Sequence, residues 1–225
     1  GLTGALGLPG IKGTLSGDIP EMSLAGGNLR SEGEILLELF GGKMRIGELG
    51  VDNLLGPVPS WRGSVSFREI DLGSLTETFN FGRITGVLQG DIRDLVIAAG
   101  QAERFDARVE TVKRRGVPQK ISVEALEKVS ILGSGSTAAA LSRGVYQFFK
   151  EYRYRKMGFT ARLRNDRMTL IGIETMGDRI YLVVGGLLPP KANVISYTQE
   201  VSFQEMVRRL RRIGATGKGE GVRIE

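Results

Sequence analysis

Apolar and polar residues alternate along most of this chain with a period of two. In "ITGVLQGDIRDLVI", residues 84–97, Ile84, Gly86, Leu88, Gly90 and Ile92 fall on one side and polar residues on the other. "IKGTLSGDIPEMSL", residues 11–24, does the same with Ile11, Gly13, Leu15, Gly17 and Ile19. Such alternation predicts half-buried strands. Glycines on the apolar side predict strands that bend, because glycine weakens a flat ladder and marks bulges and close approaches.

These two segments align without gaps at an offset of 73 residues, sharing Ile-x-Gly-x-Leu-x-Gly-Asp-Ile. "EILLELF" (34–40) and "FDARVETV" (105–112) follow them, then, loosely, "MRIGELGVDNLLG" (44–56) and "KISVEALEKVSILG" (120–133). Duplication of this kind predicts a sheet extended by repetition. The pairs Asp18/Glu21 and Asp91/Asp94 recur inside it, which suits turn or solvent-facing roles better than a duplicated catalytic pair.

Short Gly/Asn/Asp pairs at Gly41-Gly42, Asn165-Asp166 and Gly177-Asp178 predict tight antiparallel hairpins. Strands at 157–164, 167–174 and 179–185 are then expected to form a meander. Four helices are expected. One starts at Ser74 with Glu77 in a capping box, one covers 123–131, one covers 136–151, and the last, 203–213, is capped by Ser202 with Glu205. The predicted fold is mainly β within an α+β class. It is a curved antiparallel β-groove sheet built from repeated strand units, with a few short packing helices. As one domain it divides into units at about 1–70 and 71–135, the helix 136–151, a meander over 152–200, the amphipathic helix at 202–213 and a flexible tail at 214–225.

Composition narrows the chemistry. With no His and no Cys, His-based triads, His-ligated metals, disulfides and thiolate nucleophiles are excluded. Charge is uneven: residues 1–112 hold 10 Lys and Arg against 15 Asp and Glu, and residues 113–225 hold 21 against 10. The basic half suits anionic lipid, nucleic acid or an acidic partner, or simply one charged surface of a domain. No apolar run is long enough for a membrane-spanning helix.

One stretch resembles cofactor chemistry. "KVSILGSGSTAAALSRG", 128–144, contains Gly133-x-Gly135-x-x-Ala138, the spacing of a dinucleotide-binding turn. That turn needs a strand before it and a parallel strand after its helix. Here the preceding "VEALEKVSIL" has helical spacing and the following chain reads as hairpins, so Gly133 is expected to stop a helix and Ser136 or Thr137 to cap the next. Tyr152 and Tyr154 alternate with Arg153, Arg155 and Lys156, as in a strand with one aromatic and one solvated face or in a nucleic-acid stacking site.

The succession Ile70-Asp71-Leu72-x-x-Leu75, Phe81-Gly82…Gly86-x-Leu88-x-Gly90, Ile121-Ser122 and the basic-aromatic strand leading into "RLRNDRMTL" resembles the C-terminal parts of AsmA-like proteins, in particular their YdbH-like branch. It covers roughly residues 60–185. The resemblance implies a periplasmic protein of the Gram-negative cell envelope, anchored in the inner membrane by an N-terminal segment outside this chain. It implies a β-groove that carries phospholipid toward the outer membrane without catalysis or cofactor, and a small outer-membrane lipoprotein joined by strand addition. The expected groove lining is Ile35, Leu37, Leu39, Ile84, Leu88, Ile92, Met168 and Leu170; an ordinary closed core is the other reading of these positions. Arg153, Arg155, Lys156, Arg208 and Arg209 are the expected headgroup contacts. A scaffold module that binds protein through its sheet edges is the alternative function, and a basic nucleic-acid-binding domain a third.

Overall fold

The computed structural model describes residues 13–17, 21–134, 149–187, 193–196 and 199–208. In chain order the elements are β1 (Gly13–Gly17), β2 (Met22–Ala25), β3 (Asn28–Ser31), β4 (Ile35–Leu39), β5 (Gly42–Asp52) and β6 (Ser60–Asp71). Then come α1 (Leu72–Thr78), β7 (Ile84–Thr85), β8 (Val87–Ala98), β9 (Gln101–Val112), β10 (Lys120–Ser122) and α2 (Val123–Ser134). The last are β11 (Glu151–Arg164), β12 (Arg167–Gly172), β13 (Glu174–Met176), β14 (Arg179–Gly185), β15 (Val194–Ser196), β16 (Gln199–Ser202) and α3 (residues 203–208).

All strands join one open, curved antiparallel sheet, whose main path runs β1-β4-β5-β6-β8-β9-β11, with β12 and β16 continuing beyond β11. The offset of 73 residues recurs in two hairpins. The hairpin β8–β9, turning at Ala99 and Gly100, has its counterpart 73 residues earlier in β2–β3, turning at Gly26 and Gly27. At the same offset the end of β4, Leu39, corresponds to the end of β9, Val112. The third aligned segment departs from the pattern: β5 is one long strand, whereas 120–133 folds as the short β10 followed by helix α2. Helix α2 leads into the glycine series and runs through Gly133 to Ser134, so Gly133 does not stop it as expected and the strand that a dinucleotide site needs before its turn is missing; Gly135 to Ala138 lie outside the described residues.

The sheet's two faces differ sharply. Cross-strand partners share a face, and the register places Leu37, Met44, Phe67, Gly90, Val109, Phe159 and Gly172 in one row. Ile35, Ile46, Val65, Ile92, Ala107, Ala161 and Leu170 form the next row on that face. The opposite face carries ion pairs: Arg68–Asp91 at 2.7 Å, Arg108–Glu110 at 3.2 Å, Lys156–Glu110 at 3.5 Å and Arg162–Asp106 at 2.9 Å.

Curvature comes from more than glycine. The register slips between Gly47 and Gly50 in β5, Phe67 and Ile70 in β6, and Arg93 and Val96 in β8. Each slip contains an acidic residue at positive φ: Glu48 at 53°, Glu69 at 58° and Asp94 at 51°. An inserted residue of this kind bends its strand and increases the local twist. Asp94, one of the duplicated carboxylates, thus serves the backbone, and Asp91 pairs with Arg68.

Several boundaries differ from the sequence expectation. The first helix is capped by Asp71, whose carboxylate accepts from the Ser74 amide at 2.7 Å, and not by Ser74. The β4–β5 turn falls at Phe40 and Gly41, leaving Gly42 inside β5 against the Arg68 carbonyl. The 157–185 region is not a simple meander. β12 ends at Gly172, β13 pairs with β14, and β14 turns back to the N-terminal half of β11. Tyr152 and Tyr154 stand on β11, which begins at Glu151 where the expected helix 136–151 would end, and residues 136–148 and 209–225 lie outside the described residues.

Two buried clusters hold the layers together. One joins Leu72, Ile84, Ile121, Leu126, Tyr152, Tyr154, Leu182 and Val183 beneath α1 and α2. The other joins Ala161, Leu163, Met168 and Met206 beneath α3. Between them the sheet strands approach so closely at β9–β11 that a Cβ on Gly158 would strike the Val109 carbonyl and Glu110 Cα. Gly158→Ala is therefore expected to lower stability by about 1–3 kcal/mol, read as a reduced urea midpoint at unchanged slope.

Candidate functional site

Among the described residues the apolar face does not close on itself between the two clusters. A cavity of about 660 Å³ lies there. Its floor is Leu88, Ile92 and Leu95 of β8, Phe105, Ala107 and Val109 of β9, Met157, Phe159 and Ala161 of β11, and Met168 and Leu170 of β12. Leu72, Leu75 and Phe79 of the α1 region, with Ile84 and Val129, wall one end; Phe203 and Met206 of α3 wall the other.

The local sequence explains each wall. Asp71 ends β6 and starts α1, so the turn of helix after it drops Leu72 into the core and sets Leu75 beside the cavity. Gly86, at φ 144°, breaks the strand between β7 and β8 and brings Ile84 over the floor. A Cβ at Gly86 would meet the Tyr154 hydroxyl, which donates instead to the Thr85 carbonyl at 2.8 Å. Burial raises the Tyr154 pKa, so this phenol stays a neutral donor.

Thr76 is the one polar side chain among the described lining residues, and it is spoken for: its hydroxyl donates to the Leu72 carbonyl at 2.7 Å and accepts from the Ile84 amide at 3.3 Å. The wall therefore offers a guest dispersion contacts and no free hydrogen-bonding group. Among the described residues no group of three or more metal-ligating side chains comes together.

Of the residues expected to line a groove, Ile84, Leu88, Ile92, Met168 and Leu170 all border this cavity. Ile35, Leu37 and Leu39 lie outside it, half-buried on β4; Ile35 and Leu37 continue the same two rows. The aromatic members of the wall, Phe79, Phe81, Phe105, Phe159 and Phe203, were not among the residues expected to line a groove. Phe105 and Phe159 were legible from strand alternation, whereas Phe79 and Phe203 reach the site only through packing of the helices.

The expected headgroup cations do not converge. Arg153 and Arg155 are exposed on β11, with Tyr152 and Tyr154 buried on its other side. Arg155 pairs with Glu174, Lys156 with Glu110, and Arg208 with Glu205 at 2.8 Å, on α3. Arg209 lies outside the described residues.

The α3 wall hangs on one carboxylate. Asn165 and Asp166, at φ 50° and 65°, form the tight β11–β12 turn. Asp166 accepts from the Gln204 amide at 2.8 Å and the Ser202 hydroxyl at 2.7 Å, and its own carbonyl accepts from the Phe203 amide. The Gln204 amide, then the Ser202 hydroxyl, lower the Asp166 pKa. Ser202 in turn accepts from the Glu205 amide at 3.2 Å, so the expected capping residue is present and Asp166 is added to it.

No family model, characterised protein or solved structure with which the chain was compared matches it.

A depressed carboxylate stabilises the folded state above its ordinary pKa and loses that contribution as pH falls through the folded value. Acidification below about pH 4 is thus expected to free α3 before the rest of the sheet. Amide exchange at residues 203–206 should rise there, and Asp166→Ala should give the same fast exchange at neutral pH. Unchanged protection in that variant would show that packing of Phe203 and Met206 holds the wall without the cap.

Proposed function

We propose that this chain is a segment of a bridge-like protein that carries phospholipid through an apolar β-groove, without catalysis. The observation that carries this reading is the continuity of the apolar face. Two rows run unbroken by charge from β4 to β12 and pass through a cavity whose described walls offer no free polar group.

The dimensions suit an acyl chain. From β4 to β12 the path crosses six strand-to-strand steps, and at about 4.8 Å each these span about 29 Å. One leaflet of a bilayer is about 15 Å of hydrocarbon, so an extended acyl chain fits along the rows. Each methylene taken from water contributes about 0.8 kcal/mol. With dispersion as the only attraction, the groove holds chains of different length and does not fix one position, which suits passage more than tight storage.

The AsmA-like resemblance points the same way and adds the expectation of a periplasmic location between two membranes. The opposite, ion-paired face supports a chain that meets water on one side and lipid on the other. No helix among the described residues is long and apolar enough to cross a membrane.

Purified chain examined by native mass spectrometry, with organic extraction alongside, is expected to carry phospholipid. Leu88→Arg in the cavity floor and Phe67→Arg further along the row should each remove it while circular dichroism keeps the β signature. A folded wild-type chain that neither retains nor takes up phospholipid would overturn the reading and favour a groove that binds protein.

A further inference from the structure

At one end of the sheet the turns of three hairpins lie together: 53–59 between β5 and β6, 99–100 between β8 and β9, and 165–166 between β11 and β12. That edge is apolar on one face and basic on the other. On the apolar face the register aligns Leu24, Leu29, Val51, Trp61 and Ile97. Leu24 is 61% exposed and Trp61 60%, and the loop beyond them adds Leu55 at 88% and Val58 at 51%. Exposed large apolar side chains gathered in one place mark an interaction surface.

The loop is held out and not collapsed onto the core. The Leu54 amide donates to the Gly27 carbonyl at 2.9 Å and the Gly56 amide to the Asn53 carbonyl at 2.9 Å, while Pro57 and Pro59 fix φ along its second half. The side chains at its tip are therefore offered outward by a restrained backbone.

On the other face the register runs Arg30, Gly50, Arg62, Val96, Arg104, Arg164, Arg167. Like charges directly opposite each other on neighbouring strands are destabilising, and here Arg104, Arg164 and Arg167 are consecutive. The carboxylates are too few to neutralise the row. Asp52 is shared by Arg30 and Arg62, Asp106 by Arg162 and Arg164, and Glu200 is 4.0 Å from Arg167. Among the described residues Arg104 takes part in no ion pair, its neighbours' carboxylates being taken by Arg162, Arg164 and Arg167.

The geometry points to a membrane-docking edge: Leu55, Val58 and Trp61 enter the headgroup region of an anionic phospholipid bilayer, and the arginine row meets its phosphates. An apolar tip beside an arginine row with too few carboxylates to neutralise it matches an interface with hydrocarbon on one side and phosphate on the other. A protein partner would need an apolar patch and an acidic patch in this one arrangement, whereas an anionic bilayer presents hydrocarbon and phosphate together over its whole surface. The edge also leads inward, since Trp61 is in register with Ile97, and Ile97 with Ala102 at the cavity wall. This deepens the lipid-groove reading by naming where chains enter, yet it stands on different residues and fails separately.

Trp61 is the chain's one tryptophan and reports on this edge directly. Vesicles of phosphatidylcholine with phosphatidylglycerol should shift its emission to the blue, and brominated acyl chains should quench it; both effects should weaken with added salt. The pair Arg104→Ala and Arg167→Ala should weaken binding about 30-fold, and Leu55→Asp with Val58→Asp should abolish the quenching, with circular dichroism unchanged. Leu88→Arg, which blocks the groove, should leave vesicle binding intact. Trp61 emission indifferent to these vesicles, or quenching undiminished by the loop variants, would overturn the docking edge, and loss of vesicle binding in Leu88→Arg would assign the contact to the groove.

Discussion

An open sheet with one apolar face has to cover that face, and the described helices of this chain cover it only at two places. Everything distinctive stems from that shortfall. The α1–α2 layer seals the end near Tyr152 and Tyr154, and α3 seals the corner over Leu163 and Met168. The middle is left as a cavity with a hydrocarbon wall. A sheet that needed only stability would bring a helix over Ile92, Ala107 and Phe159, since burying such side chains yields about 25 cal/mol per Å². Among the described residues, leaving them half-buried forgoes that gain, and under the lipid-groove proposal a guest's hydrocarbon would recover it.

The charged face makes this tolerable. Cross-strand ion pairs such as Arg68–Asp91 and Arg162–Asp106 are exposed and individually contribute little. Their value lies in keeping that face in water, so that the sheet can curl only one way, with the apolar rows on the inside. The three bulges at Glu48, Glu69 and Asp94 obey the same logic, because a carboxylate at positive φ is free to project into solvent from the strand it bends.

Much of this was legible in the sequence, and what escaped it has a common cause. Alternation located the strands, and the offset of 73 identified a duplicated hairpin whose turns, Gly26-Gly27 and Ala99-Gly100, match in the structure. Period-two reading also placed Ile84, Leu88, Ile92, Met168 and Leu170 at the cavity. It failed where a tertiary contact decides. Asp71 displaced Ser74 as a cap because it ends a strand at that point. The β12–β14 pairing was lost because Gly172 lets the Tyr181 backbone approach and the chain then rejoins β11. Curvature was credited to glycine because a bulge at a glutamate leaves no mark in an alternation pattern. The arginine row is invisible along the chain, since its members sit on separate strands.

The departure of the second copy from the first explains the cavity's position. Both copies begin with the same hairpin, but the segment that forms β5 after the first becomes β10 and α2 after the second. A strand there would have continued the apolar rows, whereas a helix turns Leu126 and Val129 down against them and closes the end. In a repeat array this is the behaviour of a capping unit, whose altered final element ends the stack. The first copy has no such element: β1 is the edge strand of the sheet's path, and Ile35 and Leu37 leave the rows half-exposed beside it. Another unit of the same hairpin would pair on that edge and lengthen the groove by one more pair of strands. Among the described residues the sheet thus has helices over one end and β1 as an edge strand at the other. Among the described residues, the long side bearing Trp61 and the arginine row is clear of α1 and α2, and α3 meets it at the Asp166 turn.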